Sequence, residues 1–109
     1  MLAKKNRLPA KTSTKNFSTI SFPFFVLKIG ENSLNEIRAR FIVSKEVDKR
    51  ATARNRLKRQ FRRFIEENYS KIRLGQDFLF RIRKEANGKK TEEIHKRIGE
   101  VFKKEKLFK

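Results

Sequence analysis

A dense run of positive charge lies between residues 49 and 63 of this 109-residue chain. Eight of those fifteen residues are Lys or Arg, and none is acidic. Because like charges on neighbouring helical turns repel, folding alone gives no reason for such a run. Six of the eight are Arg, whose planar guanidinium suits bidentate contacts with phosphate. The run therefore predicts a surface that binds a polyanion, and nucleic acid is the commonest polyanion in a cell.

The same region has the periodicity of an amphipathic helix. At 100° per residue its apolar positions fall on one side and are expected to dock the helix on a core. These positions are Ala53, Leu57, Phe61, Phe64 and Ile65. Asn55 and the arginines fall on the opposite side, where the uncharged amide of Asn55 is a candidate for hydrogen bonding to a base or a 2′-hydroxyl.

The composition limits the classes of protein to consider. A net charge of +18, with 39% charged and 37% hydrophobic residues, fits one small domain with a heavily charged surface. An anionic membrane surface is the second candidate partner. The chain has no cysteine, which excludes disulfides and cysteine-based metal sites. No apolar stretch approaches the ~20 residues that span a bilayer, so we expect a cytoplasmic protein without a membrane partner.

Residue patterns along the chain predict an α+β fold. Residues 1–16 are basic and unpatterned and are expected to form a flexible arm, whereas residues 17–109 are expected to form a single RNA-binding domain. Phe17 to Ile29 is typical of a strand, with Pro23 at an edge or a bulge. Residues 37–44 alternate as a second strand that pairs back as a hairpin. The basic helix, a strand at 77–83 and a helix from Thr91 complete the order strand, strand, helix, strand, helix.

Residues that could perform catalysis are few. The single histidine, His95, lies in a charged helix, and the carboxylates are scattered over separate elements. No phosphate-binding loop, Ser/His pairing or zinc spacing occurs, so catalysis by this chain alone is not expected. A small sheet with two helices can leave one face uncovered, and phenylalanines beside cations there would stack on single-stranded RNA. Phe17, Phe22 and Phe24 are the candidates.

The segment FIVSKEVDKRATARNRLKRQFRR resembles the signature of the protein subunit of bacterial ribonuclease P. The family pattern has a strand ending in Val-Ser-Lys, a basic connection, an Ala, Arg-Asn-Arg, one residue, Lys-Arg, two residues and Arg. The start KKNRL is also similar to that family's N-terminus. Two features depart from the pattern. The N-terminal helix with phenylalanines four apart is missing, and Arg63 stands where the family commonly has an acidic residue.

The resemblance implies a fold, a partner and a reaction. It implies a sheet of three to four strands packed with two helices, with a left-handed βαβ crossover. It implies a monomer bound one to one to the catalytic RNA of ribonuclease P, with a cleft on the sheet for the 5′ leader of precursor tRNA. It implies that the RNA cleaves the precursor with Mg²⁺ and that the protein aids substrate binding and metal affinity, with no metal site assigned to this chain. The residues expected to bind the catalytic RNA are Lys45, Lys49, Arg50, Arg54, Asn55, Arg56, Lys58, Arg59, Arg62 and Arg63.

We therefore predict a protein subunit of an RNA-based endonuclease that matures the 5′ end of tRNA. Phe17, Phe22 and Phe24 are the expected leader contacts, and the enzyme's Mg²⁺ is expected to be bound outside this chain. One alternative is a ribosome-associated or other structural RNA-binding protein, whose basic helix would serve no reaction. A second alternative is a DNA-binding module that places the helix in the major groove.

Overall fold

The computed structural model describes residues 2–109 and shows two helices packed on one face of a four-stranded sheet. Short 3-10 turns occur at Lys4–Asn6, Tyr69–Lys71 and Lys84–Ala86. The strands and helices are β1 (Ser18–Phe22), β2 (Phe25–Glu31), β3 (Ile37–Ile42), α1 (Ala51–Asn68), β4 (Gln76–Ile82) and α2 (Thr91–Lys104). The predicted α+β class is confirmed, and the predicted order of elements holds with one additional strand at its start.

The first predicted strand is a hairpin of two strands. β1 and β2 pair antiparallel, with Phe22 opposite Phe25, so that Pro23 and Phe24 form the two-residue turn between them. Proline suits a tight turn because its fixed φ is close to that of the first turn position and it has no backbone N–H to satisfy. Pro23 therefore ends a strand and is neither an edge residue nor a bulge within one.

The expected hairpin between the first strand and the strand at 37–44 does not form. The strand order is β1-β2-β4-β3, with β4 antiparallel to β2 and parallel to β3. β4 is suited to this central position because Phe78, Leu79 and Phe80 are buried in succession, on both faces of the strand. β3 and β4 are consecutive parallel strands, so α1 provides the crossover connection between them.

The core lies between the sheet and the two helices. α1 buries Leu57, Phe61, Phe64 and Ile65, as its periodicity predicts, and Gln60 is buried beside them. The α2 contribution consists of Ile94, Ile98, Val101 and Phe102. Phenylalanine rings from both layers meet at centroid distances between 5.2 and 5.8 Å, among them Phe61 on Phe25, Phe61 on Phe80 and Phe78 on Phe102. The helices leave the opposite face of the sheet open.

Residues 2–8 pack against the domain and do not form the flexible arm that the sequence predicts. Leu2 and Leu8 are buried, and the Leu8 N–H donates to the Ala39 carbonyl at 3.0 Å, so this segment covers part of the free edge of β3. The buried Asn6 side chain donates to the Ile37 carbonyl at 2.8 Å and to the Tyr69 hydroxyl at 2.9 Å. Residues 2–8 have no helix or strand periodicity of their own, and contacts with residues far along the chain hold them in place. A prediction from local composition therefore assigned them to a flexible arm.

Tyr69 and Glu36 complete the site that holds Asn6. The Tyr69 hydroxyl donates to a Glu36 carboxylate oxygen at 3.1 Å, and Lys5 lies 3.4 Å from the other oxygen. The hydrogen bond from Tyr69, together with the positive charge of Lys5, lowers the pKa of Glu36 below its ordinary value. A row of polar contacts thus ties the N-terminal segment to the start of β3 and the end of α1.

Asn6→Ala is expected to destabilise the protein by about 1 to 3 kcal/mol, because it leaves the buried Ile37 carbonyl and the Tyr69 hydroxyl without their donor. Urea unfolding measures the change, and the exposed Asn16→Ala is the control. Hydrogen exchange at the Leu8 amide should accelerate in the Asn6 variant alone. Equal unfolding midpoints for the two variants would show that the segment is not held by Asn6.

Candidate RNA interface

The outward face of α1 forms a cationic ridge. Asn55, Arg56, Arg59 and Arg63 are exposed, and Arg62 is half-buried beside them. The structure brings Arg56, Arg59, Arg62 and Arg63 together around a groove of 380 Å³, which Gln60, Glu66 and Thr91 also line. α1 has no acidic residue in its first turn, so the partial positive charge of its N-terminus adds to these cations. The predicted arrangement of the basic face is therefore present.

Two of the predicted RNA-binding cations hold the start of the helix. Arg54 donates through Nη1 to the carbonyls of Asp48 and Lys49, at 2.9 and 2.8 Å. Arg50 forms a two-pronged ion pair with Asp48, whose carboxylate also accepts the Arg50 N–H and an Asn87 amide. Hydrogen bonds from the Arg50 side chain and backbone hold the pKa of Asp48 well below its usual range. Arg54 and Arg50 thus order the connection before α1.

The other predicted residues are open to a partner. Lys45 and Lys49 are exposed in the connection between β3 and α1. No side-chain hydrogen bond that the structure describes within residues 2–109 involves Asn55. Arg63 lies 3.9 Å from Glu67 one turn away, with both side chains more than half exposed, and such a pair contributes little stability. These side chains can therefore turn to a ligand at small cost.

A second cationic groove lies along the free edge of β3. It has a volume of 370 Å³, and Lys58 and Arg62 of α1 line one side of it. Arg7 and Arg40 line the other side, together with Leu2, Leu8, Ala39 and Phe41. No carboxylate lines this groove, and Arg62 is shared with the groove on the cationic ridge. Arg7 and Arg40 are not among the residues predicted from the sequence to bind RNA. The sequence features that could have indicated them are the KKNRL start, which contains Arg7, and the apolar–polar alternation of β3, which places Arg40 on the polar side.

The open face of the sheet carries rows of side chains that cross its strands. In the middle row the stems of Lys28 and Arg40 flank Leu79, which is only 9% exposed although no helix covers it. The next row contains Val26, Arg81 and Ile42. The remaining row holds Asp77, which is buried and accepts two hydrogen bonds from Arg38 at 2.8 and 2.7 Å. Because Asp77 is paired, the open face is cationic.

The three predicted leader contacts do not come together. Phe17 lies on the open face, where its ring covers Gly30 so closely that a Cβ at that position would overlap it. Phe22 lies on the helix side, stacked on Phe25 at 5.5 Å, and Phe24 contacts Phe22 and the Lys89 ammonium at the same end. One aromatic ring of the three is therefore on the open face, and the two others pack at the margin of the core.

Groups with catalytic potential are engaged in structural contacts. His95 is half-buried, with Nε2 2.8 Å from the Gln60 carbonyl and its ring edge-on to Phe64. Within residues 2–109, no three His, Asp or Glu side chains are grouped so that they could hold a metal ion. No helix in the same part of the chain is long and apolar enough to cross a membrane.

Comparison with known proteins identifies the family. The sequence profile of the family Ribonuclease P matches residues 3–106. This chain belongs to the ribonuclease P protein family. It is 36% identical over 98 residues to the ribonuclease P protein component of Fusobacterium nucleatum, covering 86% of this chain and 84% of that protein. It is 35% identical over 97 residues to that of Clostridium kluyveri, covering 87% and 86% of the two chains.

Solved structures agree with the family assignment. The chain is similar to the ribonuclease P protein of Staphylococcus aureus, with a TM-score of 0.78 and 27% identity over 87% of this chain and 86% of that one. It shares its fold with the ribonuclease P protein of Thermotoga maritima, with a TM-score of 0.80, 22% identity and coverage of 90% and 96%. The predicted family, its α+β fold and its role in the tRNA-processing ribonucleoprotein are confirmed, and the ribonuclease P RNA is the implied partner.

Arg54→Ala is expected to destabilise the protein by about 1 kcal/mol, because two carbonyls before α1 lose their shared donor. Arg56→Ala is the matched control, since Arg56 lies two residues away and is exposed, and its loss should change the free energy of unfolding by less than about 0.5 kcal/mol. Urea unfolding distinguishes the two. A loss for Arg56→Ala as large as that for Arg54→Ala would contradict this division of roles.

Proposed function

We propose that this chain binds the catalytic RNA of ribonuclease P through α1 and the single-stranded 5′ leader of precursor tRNA through the open sheet face, and so assists removal of the leader. The observation that carries the proposal is the groove at the edge of β3, which is lined by four cations and no carboxylate. This groove lies between the cationic face of α1 and the open face of the sheet. Family membership supports the reaction, and this groove supports the path of the substrate across the protein.

The cationic ridge of α1 suits a folded RNA. Arginines dominate it, and their guanidinium groups can make bidentate contacts with phosphates and stack on exposed bases. Asn55 offers an exposed, uncharged amide near the N-terminal end of this face, where it can bind a base edge or a 2′-hydroxyl. The ridge is one rigid helix, so the spacing of its contacts is set before the RNA arrives.

The leader can pass from one face of the sheet to the other around an edge strand. α1 lies on one face and the open surface on the other, and the two edge strands are β1 and β3. The edge at β1 exposes Ser18, Thr19 and Ser21, which carry no charge. The edge at β3 lies beside α1 and presents Arg7, Arg40, Lys58 and Arg62. Phosphates favour the β3 edge.

The open face of the sheet presents more cationic side chains than aromatic rings to a bound leader. Lys28, Arg40 and Arg81 lie in its middle rows, and Phe17 provides one ring over Gly30. Cations track a phosphate backbone without regard to sequence, and a single ring can stack on any base. This combination suits a leader whose sequence differs from one precursor to another.

The remaining parts of the proposal concern Mg²⁺ and assembly. Within residues 2–109 no group of carboxylates fits a metal ion, so we assign the Mg²⁺ of the reaction to the RNA partner. The chain's own role is to bind and position RNA and to lower the repulsion between two polyanions. We further propose one copy of the protein for each catalytic RNA and a cytoplasmic location.

Reconstitution with ribonuclease P RNA tests this function. At low Mg²⁺ and near-physiological salt, added protein is expected to increase 5′ cleavage of a leader-bearing precursor tRNA. Arg59→Ala should weaken binding to the RNA about fivefold or more through loss of a charge-assisted phosphate contact, whereas the exposed Lys15→Ala should not. The proposal fails if the wild-type protein does not stimulate cleavage. Co-purification of ribosomal RNA in its place would favour a ribosome-associated role.

The double substitution Lys28→Gln and Arg81→Gln tests the open face. The assembled ribonucleoprotein should bind a leader-bearing precursor about five- to tenfold more weakly, because two phosphate contacts are lost. Binding of mature tRNA should not change. The control is Lys11→Gln with Lys15→Gln, which removes the same charge from exposed positions of the N-terminal segment. Equal losses for precursor and mature tRNA would exclude a leader site on this face.

A further inference from the structure

A second concentration of positive charge lies at the end of the chain. After the last apolar residues of α2, residues 103–109 contain four lysines and one glutamate. The fold places these lysines beside two further cations that follow α1, and all six side chains are exposed. We call this group the C-terminal lysine patch, and its members are Lys71, Arg73, Lys103, Lys104, Lys106 and Lys109.

The patch is assembled by the docking of the chain's last residues. Lys106 has a left-handed backbone conformation, with φ of 57°, and turns the chain back after α2. Leu107 is buried, and Phe108 pairs antiparallel with Ile72. The Arg73 N–H donates to the Leu107 carbonyl at 2.9 Å, and the Lys109 N–H donates to the Lys71 carbonyl at 2.8 Å. The lysines of the tail are therefore held in place by buried anchors.

Folding accounts for only part of this charge. Lys103 and Lys104 lie in the last turn of α2, where cations favour the negative end of the helix dipole. The other four members lie outside the helix. Lys71 and Lys109 are directly opposite each other across the bridge, an arrangement that like charges destabilise. Among residues 2–109, the ion pairs that the structure describes include none of the six.

We infer that the C-terminal lysine patch is a second contact surface for the phosphate backbone of the ribonuclease P RNA, separate from the cationic ridge of α1. This inference rests on the proposed function and adds a surface to it. Five of the six members are lysines, which bind phosphate as point charges without fixed geometry, whereas the ridge is rich in arginine. The patch therefore adds affinity and the ridge adds geometric specificity.

The position of the patch favours the catalytic RNA over the leader. Phe108 packs on Phe64 at 6.4 Å and on Phe102 at 5.6 Å, so the tail lies on the helix side of the sheet. The open face is on the other side. Along α1, Arg63 and the helix end at Asn68 are separated by roughly 8 Å, at 1.5 Å per residue. The patch begins a few residues after that helix end, so an RNA bound along the ridge has the patch within reach.

The test compares two charge-loss variants of the full chain. Lys71→Gln, Lys106→Gln and Lys109→Gln together spare both helices, and Lys11→Gln, Lys15→Gln and Lys96→Gln remove the same charge from exposed positions elsewhere. Binding to ribonuclease P RNA is measured at several salt concentrations. The patch variant should bind about tenfold or more weakly, with a salt slope shallower by about 2 to 3. Replacement of the same three lysines by Arg should retain wild-type binding.

Thermal melting first checks that each variant folds. Titration of the wild-type protein with ribonuclease P RNA then tests the proposed function separately from the inference about the C-terminal lysine patch. Wild-type protein that does not bind ribonuclease P RNA would overturn the proposed function and this inference with it. Normal wild-type binding with equal losses in the two charge-loss variants would overturn the inference alone.

A cross-link identifies the partner directly. The chain has no cysteine, so Lys106→Cys provides a single attachment site for a photo-cross-linker in the assembled complex. Cross-links to the ribonuclease P RNA support the inference. Cross-links only to precursor tRNA would assign the patch to the substrate and overturn it.

Discussion

The docking of α1 on the sheet is the contact on which the rest of this structure depends. Phe61 packs edge-on against Phe25 and at a steep angle to Phe80, at 5.7 and 5.8 Å. Burial of such a ring contributes roughly 1.5 to 3 kcal/mol, whereas each like-charge pair on the outer face costs only a few tenths. A few aromatic contacts therefore hold in place a helix whose other side is almost wholly cationic.

The docking of α1 also determines where RNA surfaces can form. α1 connects the parallel strands β3 and β4, so it has to pass beside the edge at β3. That edge would otherwise expose unpaired backbone groups, and residues 2–8 cover part of it. The segment brings Arg7 to the same place, opposite Lys58 and Arg62. The same N-terminal segment thus protects the edge of the sheet and completes the cationic groove.

Structural features that depend on residues close together in the sequence could be predicted, whereas features that depend on contacts between distant residues could not. The apolar stripe of α1 and the strand alternations are local patterns, and they were predicted correctly. The partner of β3, the docking of Asn6 and the position of Arg7 depend on contacts between distant residues, which a single sequence does not reveal. Arg54 has the same charge as its neighbours in α1, and only its distance from two carbonyls reveals its structural role.

Because an aromatic core supports a strongly cationic surface, salt is expected to have opposite effects on folding and on RNA binding. A net charge of +18 makes the folded protein repel itself, and added salt screens that repulsion and favours folding. The same salt weakens binding to RNA, because the counterions released when phosphates are neutralised gain less entropy in a more concentrated salt solution. Bound RNA relieves the repulsion in the way that salt does, but at defined positions. Cations such as Arg63, which lies 3.9 Å from the exposed carboxylate of Glu67, therefore cost the free protein a little stability and gain a partner in the complex.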